Sequence, residues 1–105
     1  MRKHPLVLSI TDTAYHAVLN KIFEQGLPDP VPVLKYNPQS KEYEISSYSS
    51  IYAEKLEKEF TNKNKQLIYP VGRIDICIQD LDTLDQVKGK TLDYYNGHFV
   101  VDNKK

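Results

Sequence analysis

The chain of 105 residues has one cysteine, Cys77, and three histidines, His4, His16 and His98. A thiolate is a nucleophile and a soft metal ligand, and an imidazole exchanges protons near neutral pH, so these side chains come first when chemistry is considered. One thiol closes no disulfide within the chain and builds no multi-cysteine zinc or cluster site. Cys77 stands between Ile76 and Ile78, which is the setting of a small structural side chain. Its alternative uses are as a reactive thiol, or as a ligand for iron or an iron–sulfur cluster between two subunits with His98 or a partner's cysteine as a further ligand. The histidines show no His-x-x-x-His spacing, so a metal site would require folding to converge them.

Asp80, Asp82 and Asp85 form a carboxylate cluster without the glycine and terminal glutamate of an EF-hand loop. They read as the cap of a following helical turn, with the remaining charges solvated. Eight tyrosines and no tryptophan give the chain an unusual stock of amphipathic rings, suited both to strand packing and to a contact surface. Tyr94 and Tyr95 are adjacent and face opposite ways in a strand, so only one of them belongs to a core. Tyr52, Leu56 and Tyr95 are the residues predicted to carry an interaction surface. There is no Gly-x-Ser-x-Gly elbow, no phosphate-cradling glycine loop and no cysteine with a histidine close in sequence. The sequence therefore predicts no enzyme, no cofactor and no metal centre; an enzyme would need His16 or His98 folded beside Asp75 or Asp93.

Fourteen basic and fourteen acidic side chains balance, leaving no overall field to attract nucleic acid or an anionic membrane. Lys63-Asn64-Lys65 lacks interleaved aromatic residues and reads as a solvated loop. Leu6-Val7-Leu8 is too short for a signal-peptide core, and no stretch reaches the roughly 18 apolar residues of a membrane span. These features predict a cytoplasmic protein whose partners are other proteins or further copies of itself.

The elements that must position these residues follow from periodicity. Pro5 to Ile10 predicts a short strand, and Thr11 caps a helix from Asp12 to Gln25 whose apolar face is Ala14, Tyr15, Val18, Leu19, Ile22 and Phe23. Gly26 ends it, and Pro28 and Pro30 keep it from resuming. Val31 to Tyr36 and Tyr43 to Tyr48 predict a hairpin about Asn37-Pro38-Gln39-Ser40, with Tyr43, Ile45 and Ser47 on one face. From Ser50, a cap, the period becomes helical, with Tyr52, Leu56 and Phe60 on one stripe. Gln66 to Tyr69 and Arg73 to Gln79 predict two strands around Pro70-Val71-Gly72, with Ile74, Ile76 and Ile78 toward a core and Asp75, Cys77 and Gln79 away from it. A short helix over Leu81 to Val87 leads to strands Thr91 to Tyr95 and His98 to Val101, joined by the turn dipeptide Asn96-Gly97.

The order Leu84 to Val87, Lys88-Gly89, Thr91-Leu92-Asp93-Tyr94, Gly97-His98-Phe99-Val100, Asp102-Asn103 resembles the C-terminal half of the HesB/IscA-like domain, the A-type iron–sulfur carriers. The segment Ile10-Thr11-Asp12-Thr13-Ala14 is similar to the family's Ile-Thr-Asp-x-Ala at its first helix. The resemblance spans nearly the whole chain and implies one domain over residues 1–105, α+β and mainly β. That fold would be a β-sandwich of short mixed and antiparallel strands with an N-terminal amphipathic helix. Family members hold iron or a cluster with a loop cysteine and a Cys-Gly-Cys segment, commonly across a dimer. Here the loop position falls near Asn37-Pro38-Gln39, and the Cys-Gly-Cys segment would begin beyond Asn103-Lys104-Lys105. No ligand carries over, and Cys77 occupies neither position. The Ser49 to Lys65 stretch is longer than the family's connection and adds a helix near residues 50–60, where a function private to this chain would lie. The implied role is a non-enzymatic interaction or accessory module near iron–sulfur metabolism.

Overall fold

A computed structural model describes residues 8–103, in the order β1 (Leu8–Ile10), α1 (Asp12–Glu24), β2 (Val31–Asn37), β3 (Glu42–Tyr48), α2 (Ser50–Asn62), β4 (Ile68–Val71), β5 (Ile74–Cys77), α3 (Leu81–Val87), β6 (Lys90–Tyr95) and β7 (His98–Asn103). His4, the Pro5 to Val7 part of the first expected strand, and Lys104-Lys105 lie outside the described residues. The architecture is α+β with mostly β content.

The first helix starts where Thr11, in extended backbone, offers its hydroxyl to the Ala14 N–H, and Asp12 adds negative charge to the first turn. Ala14, Val18 and Ile22 recur every four residues and are buried against the sheet. Phe23, expected on the apolar face, is instead 64% exposed, because it points off the Ala14-Val18-Ile22 stripe.

β2 and β3 pair from Val31↔Tyr48 to Asn37↔Glu42, and the Asn37 side-chain oxygen accepts from the Gln39 N–H to set the turn. Ile45 and Ser47 are buried and Tyr43 packs on the core, as the alternation requires. Ser49, one residue before the expected cap, starts α2 by accepting from the Tyr52 N–H. The buried stripe of α2 runs through Ala53 instead of Tyr52, with Leu56 and Phe60 beside it. Tyr52 sits at the rim with its ring against Tyr48, centroids 4.8 Å apart.

Pro70 and Val71, expected in a turn, belong to β4. β4 is the last strand in the sheet order, so proline's missing N–H breaks no ladder there, and Val71 enters the core. The turn is Gly72-Arg73, and the positive φ of Gly72 brings it against β1, where a Cβ would stand 3.2 Å from Ile10 Cγ2. Asn96 and Gly97, with φ of 51° and 80°, make the two-residue turn joining β6 and β7.

The seven strands form one mixed sheet in the order β1-β6-β7-β3-β2-β5-β4. β1 runs parallel to β6 and β2 parallel to β5; the other neighbours are antiparallel. The sheet curls until its edge strands β1 and β4 touch, so it is nearly a barrel. One junction is thin: β3 and β7 share the single registered pair Tyr43↔Phe99. Inside the curl lies the main core, where α1 and Val87 of α3 meet Leu34, Ile76, Leu92 and Phe99. A second apolar layer lies on the other face of β2, β4 and β5, where Val33, Ile68 and Cys77 are covered by Ala53, Leu56 and Phe60.

Candidate functional site

The β3–β7 junction is built by residues of both faces. Leu92, Tyr94, Phe99 and Val101 turn toward the core, with Tyr94 edge-on to Phe99 at 4.8 Å. The next residues along each strand therefore face outward: Tyr95 and His98, which pair across the hairpin, then Val100 and Asp102. On β3, Tyr43 turns inward against Tyr36, ring centroids 4.9 Å apart, and Glu42 turns outward. Burial, and secondarily the neighbouring Tyr36, push the Tyr43 hydroxyl above its ordinary pKa.

Because the two strands are antiparallel at Tyr43↔Phe99, β7 beyond Phe99 runs back past the start of β3 and the β2–β3 turn. A groove of about 500 Å³ follows this stretch, lined by Lys41, Glu42, Tyr95, His98, Val100 and Asp102 among others. Across it, His98 Nδ1 lies 3.8 Å from Glu42 Oε1. Tyr95, one of the predicted interaction residues, stands 68% exposed at its mouth. Lys41, Glu42 and Asp102 were not legible as site residues, since no local signal says that β3 and β7 are neighbours or that they part after one pair.

The other predicted residues lie elsewhere. Tyr52 is exposed at the rim of α2 beside Tyr48, whose hydroxyl donates to Gln79 Oε1 at 2.7 Å. Burial, then Tyr52 and more weakly Cys77, raise the Tyr48 pKa, against the lowering effect of the Gln79 bond. Leu56 faces the sheet and packs on the second apolar layer. Cys77 is fully buried in that layer, whereas His98 is on the outside of the β6–β7 hairpin. His16 is exposed on α1 beside Tyr15. Asp93 accepts from the Thr11 hydroxyl, and Asp75 lines a separate groove with Arg73 and Tyr15. Asp80 caps α3 by accepting from the Thr83 N–H at 2.7 Å. Among the described residues, no three His, Cys, Asp or Glu side chains gather as a metal-binding group, and no helix is long and apolar enough to cross a membrane.

No protein-family model matches the chain, and a search of curated proteins finds no match. Among solved structures, it is similar to a solution NMR structure of a protein from Aquifex aeolicus, a structural-genomics target, with a TM-score of 0.65 over 99% of this chain and 98% of that one. The two sequences are 15% identical, so the likeness is one of fold.

Proposed function

We propose that the chain is a HesB-like protein without the family's cluster ligands, a non-enzymatic interaction or accessory module linked to iron–sulfur metabolism in the cytoplasm. The observation that carries the reading is the fate of thiol chemistry around the groove. By the resemblance, the family's loop-cysteine position falls near Asn37-Pro38-Gln39, at the link between β2 and β3, where the side chains offer amides but no thiol. The one cysteine is enclosed on the opposite side of β2 and β5 beneath α2. Thiolates are what hold iron–sulfur clusters in carriers, so this groove is suited to contact and not to cluster transfer. The thin β3–β7 junction supports the sandwich description, because it divides the sheet into β1-β6-β7 and β3-β2-β5-β4 facing each other across the main core.

Anaerobic reconstitution with ferrous iron and sulfide tests the reading. The expected result is no stoichiometric iron and no cluster absorption after desalting. A stoichiometric chromophore that disappears in a folded Cys77→Ala variant would overturn it in favour of an iron or cluster protein using Cys77 across an oligomer.

A further inference from the structure

We propose that the groove at the β3–β7 junction is a strand-addition site, taking an extended, basic segment of a partner protein that pairs with the β7 main chain beyond Phe99. This deepens the accessory-module reading by naming the kind of partner the module binds. Among the described residues, no strand pairs with β7 on the β3 side after Phe99, because the registered pairing stops at Tyr43↔Phe99. Lys41, at a φ of 60°, belongs to the β2–β3 turn, and the groove lies between that turn and β7. A sheet edge of this kind presents alternate N–H and C=O groups, a template that selects an extended backbone over any other ligand shape. Val100 to Asn103 offers about 13 Å of it, at about 3.3 Å per residue.

The lining specifies what the added strand carries. Among the described lining residues, the ammonium of Lys41 and the imidazole of His98 stand with two carboxylates, Glu42 and Asp102, so with His98 neutral the lining carries a net negative charge that favours basic side chains over a polyanion. Tyr95 and Val100 provide an apolar platform on the outer face, fitted to alternate β-branched side chains of the incoming strand. Natural edges are commonly blunted by proline or by charge, lysine above all; Val100 to Asn103 contains neither proline nor lysine, and its one charge, Asp102, is of the sign that a basic strand would pair with.

The probe is the synthetic peptide acetyl-Thr-Val-Lys-Val-Thr-Val-Lys-amide, titrated to millimolar concentration into iron-free protein and followed by amide NMR shifts. The expected result is saturable shifts confined to Lys41 to Tyr43 and Val100 to Asn103. They should be lost when the same peptide carries N-methyl groups on both edges, which preserves charge and composition but abolishes main-chain pairing. The double reversal Glu42→Lys with Asp102→Lys should weaken binding about tenfold or more, and Tyr95→Ala by several-fold. Undiminished binding of the N-methylated peptide, absence of shifts at those amides, or occupation of the same amides by a second copy of the chain would each overturn the proposal. Because the measurement uses iron-free protein, a cluster formed on reconstitution would defeat the accessory reading and leave the strand-addition result standing.

Discussion

Thr11 joins two parts of the chain that are far apart in sequence. Its hydroxyl accepts from the Ala14 N–H at 3.1 Å and donates to Asp93 Oδ1 at 2.8 Å, while its own N–H donates to the Leu92 carbonyl at 3.1 Å. One residue thus caps α1 and fastens its start to β6. The cap is legible in the sequence, since Thr11 and Asp12 precede an apolar four-residue repeat. The partnership with Asp93 is not, because it depends on β1 lying parallel to β6 with Ile10 opposite Leu92, a pairing no local pattern encodes. Replacing the hydroxyl by a methyl group, Thr11→Val, removes the cap and the Asp93 bond together. Urea unfolding should register a loss of about 1–3 kcal/mol, and Thr11→Ser should restore most of it. Equal stabilities of the valine and serine variants would show that the hydroxyl contributes nothing.

The second helix changes meaning once its surroundings are known. Its amphipathic repeat is visible in the sequence, and by sequence alone the added length reads as an appendage with a function of its own. In the fold it covers Val33, Leu67, Ile68 and Cys77, which would otherwise be an apolar sheet face open to water. The alternation of Ile76, Cys77 and Ile78 places Cys77 away from the main core, but no sequence signal announces that the other face is covered as well. Deleting Ser49 to Lys65 would therefore damage the fold along with any contact surface. Point substitutions separate the two roles. Ala53→Glu drives a charge into the second layer and should make Cys77 react with a thiol reagent that leaves the native protein untouched. Ile51→Lys, at a position 77% exposed, should leave both Cys77 protection and the unfolding midpoint within about 0.5 kcal/mol of the parent. Fast modification of Cys77 in the unaltered protein would contradict its enclosure.

Across the whole molecule, the strands and helices were largely readable, but their neighbour order was not. Period-two runs and the Asn96-Gly97 turn mark the strands, yet the parallel β1–β6 and β2–β5 pairings and the single-pair β3–β7 junction join segments far apart in sequence and follow from no local pattern. Tyr43 and Tyr69 pack half-buried against the main core and Tyr48 against the layer under α2, and this partial burial is the leading cause that raises the pKa of all three above 10.0. In the unfolded chain these hydroxyls ionise near the ordinary value, so above about pH 10 the unfolded state holds fewer protons than the folded one. Their contribution to stability is therefore complete below that pH and declines as pH rises toward the folded values, where the loss levels off. Guanidinium unfolding at pH 9 and pH 11 should show a fall in midpoint that is smaller in the triple variant Tyr43→Phe, Tyr48→Phe, Tyr69→Phe. Loss of the Tyr48 bond to Gln79 and the Tyr69 bond to the Gln66 carbonyl lowers the variant's stability at both pH values, whereas the tyrosinate contribution changes the difference between them. Lysines ionise in the same range in both proteins, so the comparison isolates the phenols. An equally steep fall in the triple variant would mean that alkaline unfolding has another origin, and that burial of these rings leaves their ionisation as free in the folded molecule as in the unfolded chain.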